Sequence, residues 1–220
     1  SHELRNPLAT MRNTIDVVLE NPRSEDEYRE VLQSLGEDVD RLRKISEDLL
    51  LLARADAGGL VMKREPVRLD LLALALADTY QSRAQDLSVA LETEAQDAVE
   101  VLGDERWLMS LIGNLLDNAL KFTPPEGTVR MEVHIVDHLA RIQVWDTGPG
   151  IPEASLDRIF ERFYQADPSR AQKQGAGLGL AITAWITQAH GGSISASNRP
   201  QGGACFTVDL PLPRPGESLS

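Results

Sequence analysis

The sequence predicts an α+β protein, a long helical hairpin followed by a sandwich of one mixed sheet under helices. Three observations predict it. Apolar residues step by four and three over residues 4–18 and again, with one break, over residues 28–52, the period of helices that bury one stripe. Ala57-Gly58-Gly59 interrupts that pattern, as glycines do where a helix ends. Beyond it, short alternating runs and helical stretches mix without the regular order of a doubly wound fold, which favours a mixed sheet covered by helices.

The elements follow in order. Leu4, Leu8, Met11, Ile15 and Val18 mark a first helix that Asn21-Pro22-Arg23 stops. Ser24-Glu25-Asp26-Glu27 fits a capping box for a second, whose stripe runs Tyr28, Leu32, Leu35, Val39, Leu42, Ile45, Leu49 and Leu52. Two helices on so short a turn form an antiparallel hairpin with an apolar face they cannot bury alone. A second copy would cover it, so a homodimeric four-helix bundle is expected, with packing on the rest of the same chain as the alternative. After a hinge at residues 57–59, the patterns predict a short strand over 60–63, a helix over 69–84, a strand over 88–92 and a helix over 104–120. Strands over 129–136 and 140–145, helices near 155–163 and 178–190, and strands near 193–197 and 205–210 complete the sandwich, with a loose tail from 211. The expected units are therefore a hairpin (1–56), a hinge (57–59), the sandwich (60–212) and a tail (213–220).

Composition narrows the function. At 220 residues, 42% apolar and 25% charged, the chain has room for one sizeable core or two modest ones. A net charge of −12 works against a nonspecific grip on nucleic acid or an anionic membrane, so no partner of either kind is expected. Basic residues that converge locally would be meaningful exceptions. The lone Cys205 excludes an internal disulfide and reads as a buried strand thiol; the four histidines show no metal-ligand spacing. With no signal-peptide pattern and no apolar run of about 18 residues, a cytoplasmic piece is expected.

The chemistry sits in short motifs. In Ser1-His2-Glu3-Leu4-Arg5-Asn6-Pro7-Leu8, helical spacing puts His2 and Asn6 one turn apart, opposite the apolar stripe and facing solvent. A carboxylate such as Glu3, accepting from one ring nitrogen, leaves the other free as a nucleophile, and Pro7 should kink the helix beside them. Such a pair is by itself ordinary surface, and Asn6 stands where a zinc protease needs a second histidine. Downstream, Asn114 and Asn118 share a helix face with Lys121 just beyond; amide oxygens suit a hard cation such as Mg²⁺, and lysine suits phosphate. Asp146, at a strand end before Gly148 and Gly150, can accept from an exocyclic amine. Ile159-Phe160-Glu161-Arg162-Phe163-Tyr164 supplies an aromatic patch, and Gly175-Ala176-Gly177-Leu178-Gly179 leads into a helix whose free N–H groups favour an anion.

Together and in this order, these motifs resemble those of the bacterial sensor histidine kinases over essentially the whole chain. Residues 1–8 are similar to the family's H box, 114–123 to its N box, 146–152 and 175–180 to its glycine boxes, and 160–164 to its F box. The resemblance implies a dimerisation and phosphoacceptor hairpin followed by a catalytic ATP-binding domain of the Bergerat type. It further implies that His2 receives the γ-phosphate of ATP with Glu3 as base, and that Asn6 orients water for dephosphorylating a response regulator. Asn118, helped by Asn114, would hold Mg²⁺; Lys121 would contact phosphate; Asp146 would read the adenine amine. Gly148, Gly150, Tyr164, Gly175, Gly177, Leu178 and Gly179 would complete the nucleotide site. Related ATPases, DNA gyrase and the heat-shock chaperones, carry a glutamate at the position of Asn114 to activate water; an amide cannot be that base, so the γ-phosphate can wait for His2. The expected partners are a second copy, a response-regulator receiver domain and an upstream signal-receiving domain absent from this chain, which reads as an excised core. The hinge would let the ATP domain swing, and residues 165–174 would form a lid. Gln165 stands where many members carry arginine, leaving Arg162, Arg170 or Lys173 as candidate phosphate cations. Cys205 stands where a hydroxyl residue beside the base is frequent.

Overall fold

The computed structural model describes residues 2–96, 98–166 and 176–213, with the side chains of residues 2–6 outside the description. The hairpin consists of α1 (His2–Glu20) and α2 (Glu25–Asp56). The capping box forms as expected: Ser24 Oγ accepts from the Glu27 N–H at 3.3 Å, and the Glu27 carboxylate accepts from the Ser24 N–H at 2.8 Å. Equal arms from the turn bring His2 level with Arg43, eighteen residues from Glu20 and Glu25 respectively. Leu52, nine residues past Arg43, therefore lies beyond the reach of α1, and Ile45 sits at its end. They are buried instead in one cluster with the core of the sandwich, Leu52 to 2% exposure. Nearer the turn the stripe is open, with Leu8, Ile15, Tyr28 and Val39 exposed and Leu32 at 68%. Packing on the rest of the same chain, expected as the alternative, thus holds for the end of the α2 stripe, and the stretch nearer the turn is uncovered in the single chain.

Past Asp56 the structure corrects the reading of 60–63 as a strand. Those residues have no strand partner and Val61 is 94% exposed. The strand is β1 (Glu65–Arg68), paired antiparallel with β3 (Glu100–Gly103), a four-residue strand too short for alternation to announce. Helix α3 (Leu69–Asp86) leads to β2 (Ala90–Ala95), which starts later than expected because Ser88 turns the chain at φ +55°. Helix α4 (Glu105–Phe122) is followed by β4 (Thr128–Val136) and β5 (Leu139–Asp146), joined by a tight turn at Asp137 and His138, both at positive φ. The helix expected near 155–163 is a second correction. A 3₁₀ turn (Glu153–Ser155) runs into further turns in which Arg158 and Glu161 N–H groups bond carbonyls three residues back, and Phe163 at φ +63° ends any helical path. Then come α5 (Gly179–Ala189), β6 (Ser193–Asn198) and β7 (Ala204–Pro211). Pro211 pairs with Leu139, so the tail starts later than expected; residues 214–220 lie outside the described residues.

The main sheet has the order β2-β4-β5-β7-β6, parallel between β2 and β4 and antiparallel elsewhere. Alternation separates its faces. Met131, Ile142, Val144, Phe206 and Val208 are buried beneath the helices, while the other face carries Arg130 among Glu92, Glu94 and Glu132, and Arg141 on Asp209 at 2.6 and 2.8 Å. Helix α4 is the centre of the core, with Leu108, Leu111, Ile112, Leu115 and Leu116 wholly buried.

One buried histidine ties the helices to the small sheet. His190 Nδ1 donates to the Ile186 carbonyl at 2.8 Å, so Nε2 is the acceptor for the Asp104 N–H at 3.1 Å and the ring is neutral. Burial pushes its pKa below the ordinary histidine value, against the Ile186 carbonyl and Asp104, which favour the charged form. A depressed histidine contributes stability that is present above about pH 6.5 and lost as pH falls towards the folded-state value, because the unfolded chain then binds more protons. Chemical unfolding measured from pH 7.5 to 5 is expected to show that loss in the wild type and a flatter profile in His190→Gln.

Candidate functional site

A cavity of about 760 Å³ opens where α4, the turn after β5, the 153–166 turns, the start of α5, β7 and α2 meet. Helix α4 brings Asn114, Asn118 and Lys121 to its wall because its other side is committed to the core. Asn114 Nδ2 donates to the Gly179 carbonyl at 3.3 Å, tying this face to the start of α5. Burial pushes the Lys121 pKa down to about 8, the nearby Arg41 charge adds to the effect, and Asp117 opposes it. A bound anion restores that proton affinity, so ATP affinity is expected to fall as pH rises through about 8. Titrations from pH 7 to 9.5 should lose this alkaline limb in Lys121→Arg.

The other end of the cavity is built around Asp146, which β5 delivers at 3% exposure. Its Oδ1 accepts from the Gly148 N–H at 2.8 Å and the Ala204 N–H at 3.2 Å, leaving Oδ2 for a ligand donor. Burial raises its pKa against both of those bonds and the Arg199 charge. Gly148 accordingly serves the carboxylate and does not line the cavity as expected, whereas Gly150 does. Gly150 sits at φ +76°, where a Cβ would come within 2.8 Å of Asn198 Oδ1. Asn198 holds this turn from both sides, accepting from the Ile151 N–H at 2.7 Å and donating to its carbonyl at 2.6 Å.

Gly177, Leu178 and Gly179 line the cavity as expected; Gly175 lies outside the described residues. Gly177 at φ +69° would place a Cβ within 2.7 Å of the Tyr164 carbonyl, and its own carbonyl accepts from the Phe163 N–H at 3.0 Å. The aromatic turn is thereby stitched to the N-terminus of α5, whose first N–H groups are available to an anion. Tyr164 lines the cavity and its hydroxyl donates to Ser155 Oγ at 2.9 Å.

Two expectations are corrected. Cys205 does not face the ligand: alternation along β7 turns Ala204 and Phe206 to the cavity and Cys205 to the opposite face beside Gln143 and Thr207. Arg162 is not at the cavity either; it grips Asp56 at the end of α2 through two bonds of 2.6 and 2.7 Å. Arg170 and Lys173 lie outside the described residues, as does most of the expected lid, although Gln165 and Ala166 line the cavity. The side chains of His2, Glu3 and Asn6 are likewise outside the description; the α1 backbone that carries them is helical through Pro7. The sequence reading missed Asn198, Arg83 and the α2 residues Arg41, Lys44 and Asp48. The last three share the face of Ile45 at helical spacing, which was the available signal.

Residues 103–214 match the family described as Histidine kinase-, DNA gyrase B-, and HSP90-like ATPase, and residues 1–58 match the His Kinase A (phospho-acceptor) domain. The chain belongs to the sensor histidine kinases. The kinase is 36% identical to the signal transduction histidine-protein kinase BaeS of Escherichia coli (strain K12), over 97% of its own length and 46% of BaeS. It thus spans about half the length of the curated relatives it matches. Its fold superposes on the Acinetobacter baumannii histidine kinase AdeS with a TM-score of 0.80 at 22% identity, covering 97% of the kinase and 99% of AdeS. A structure of full-length ShkA in complex with AMPPNP is 28% identical with a TM-score of 0.75, over 99% of the kinase and 46% of ShkA. The sandwich of the kinase is therefore an ATP-binding domain of this type, and no described helix is long and apolar enough to cross a membrane.

Proposed function

We propose that the kinase transfers the γ-phosphoryl group of ATP to His2 and passes it on to an aspartate of a response-regulator receiver domain. The observation that carries this reading is the cavity, where the α4 amides, Lys121, Asp146 and the two glycine turns converge against α2 at the level of His2 on the paired helix.

In this mechanism Asp146 Oδ2 accepts from the adenine amine, and Lys121 with the first N–H groups of α5 binds phosphate oxygens. Asn118 and Asn114 offer amide oxygens to Mg²⁺, which suits a hard cation that otherwise keeps phosphate and water ligands and which, when bound, neutralises charge on the phosphates. Asn114 cannot abstract a proton from water, so hydrolysis does not compete. The His2 nitrogen attacks γ-phosphorus, the bond from that phosphorus to the bridging oxygen breaks with its electron pair leaving on ADP, and Glu3 takes the imidazole proton. A turn at residues 57–59 lets the ATP domain close the remaining distance. On the regulator's return, Asn6 orients the water that hydrolyses its phosphoaspartate. The open stripe of Leu8, Ile15, Leu32 and Val39 supports a four-helix homodimer, with a signal-receiving domain preceding α1.

The test is transfer of label from γ-labelled ATP. The wild-type chain is expected to acquire an acid-labile, base-stable adduct that His2→Gln loses entirely. Label that survives in His2→Gln, or none in the wild type, would overturn the proposal.

A further inference from the structure

Asp146 is the last residue of β5, and the ladder between β5 and β7 ends one residue earlier, where Trp145 lies opposite Cys205. The Asp146 carbonyl is left just past the end of that ladder. Arg199, the first residue after β6, takes it up: its Nη1 donates to the Asp146 carbonyl at 3.2 Å. The same guanidinium lies over the Trp145 ring, 3.6 Å from its centroid, a stacked arrangement that fixes its plane. Alternation along β5 turns Trp145 to the face of the sheet opposite the cavity, and neither Trp145 nor Arg199 lines the cavity.

The turn from β6 to β7 is shaped around this contact. The Arg199 N–H donates to the Gly203 carbonyl at 2.9 Å, and the Arg199 carbonyl accepts from the Gly202 N–H at 3.0 Å. Gly203 sits at φ +89°, and a Cβ there would collide with the Asp146 carbonyl oxygen, so glycine is what lets the two chains approach. The next residue, Ala204, donates its N–H to Asp146 Oδ1. Asn198, immediately before Arg199, holds the Ile151 peptide. Two consecutive residues at the end of an edge strand thus grip both ends of the glycine turn, at Asp146 and at Ile151.

The geometry points to Arg199 as a positioning residue for base recognition: by pinning the Asp146 main chain from the far face of the sheet, it sets where Oδ2 meets the exocyclic amine of adenine. This rests on the reading of the cavity as an adenine-nucleotide site and extends it to a residue the ligand does not touch. Oδ1 is occupied by the Gly148 and Ala204 N–H groups, so the carboxylate moves with the backbone that carries it. A hydrogen bond to the amine weakens steeply as its angle departs from linear, which makes base reading sensitive to that placement. The Arg199 charge serves the same end: burial raises the Asp146 pKa, and Arg199 is among the groups that oppose the rise.

The experiment is calorimetric titration of the full chain with ADP and with inosine diphosphate, which carries the same phosphates but a carbonyl in place of the amine. The wild type is expected to prefer ADP by about a hundred-fold. Arg199→Met keeps an apolar stem over Trp145 without the donor or the charge, and is expected to narrow the preference to about ten-fold through weaker ADP binding alone. Arg199→Lys, which still places a cation over the ring, is expected to lie between the two. An unchanged preference in Arg199→Met, a parallel loss for both ligands, or a lysine variant no better than the methionine one would overturn the positioning role and leave the nucleotide site standing. A wild-type chain that binds both ligands alike would overturn base reading at Asp146, and one that binds neither would overturn the nucleotide site; this inference falls with either.

Discussion

Asp146→Asn is expected to weaken ATP binding by about ten- to a hundred-fold, the loss of one buried charge-assisted hydrogen bond, without lowering the stability of the nucleotide-free chain. The amide oxygen can still accept from the Gly148 and Ala204 N–H groups, so the glycine turn keeps its anchor. The other end of the side chain changes from acceptor to donor and meets the proposed adenine amine donor to donor. Stability behaves oppositely because burial raises this carboxyl's pKa. A raised carboxylate costs the folded state at neutral pH and relieves that cost only as pH falls, so a neutral amide removes it. Calorimetric titration with ATP and thermal unfolding without it should separate the two effects. Unchanged affinity would show that adenine is not read at Asp146.

Leu52→Ala has the second large expected effect, and it should be local. Leu52 lies beyond the end of α1 and is almost completely buried with the sandwich core. Truncating a leucine in such a position costs about 2–4 kcal/mol. That cost should fall on the contact between the end of α2 and the ATP domain. Amide exchange over residues 45–56 is expected to quicken by roughly thirty- to a thousand-fold, while protection in α4, β4 and β5 stays as in the wild type. Equal loss across the sheet would mean that the end of α2 is an integral part of the sandwich core, not an element docked on it.

Both expectations rest on elements that differed in how plainly the sequence announced them. Helices α1, α2 and α4 and strands β4, β5 and β7 are long enough for period to show, and each was placed within a few residues. Strand β3 has four residues, and the apolar residues around Ile159 repeat at helical spacing although the chain there only turns. Periodicity reports which side of the chain is buried, and a succession of tight turns against a core can bury the same positions as a helix. The site follows a similar division. Asn114, Asn118, Lys121, Asp146, Gly150 and Gly177 all line the cavity, and they are legible in the sequence because each sits within a contiguous motif. Cys205 was misplaced by one step of strand alternation, and Asn198 reaches the turn at Ile151 only through the sheet.

The sequence by itself determined the hairpin with its cap, the mixed sheet under helices, and the residues whose chemistry suits a magnesium nucleotide, because helical and strand periods, caps and glycine turns act over a few neighbouring residues. Only the tertiary structure decided how the α2 stripe is divided between an open face and a buried end, that Arg162 grips Asp56, and that Arg41 and Lys44 reach the cavity of a domain many residues downstream. The physical reason is that burial and charge convergence are properties of surfaces brought together by folding. An arginine on a helix has the same local pattern whether its neighbour across space is water or the wall of a nucleotide cavity.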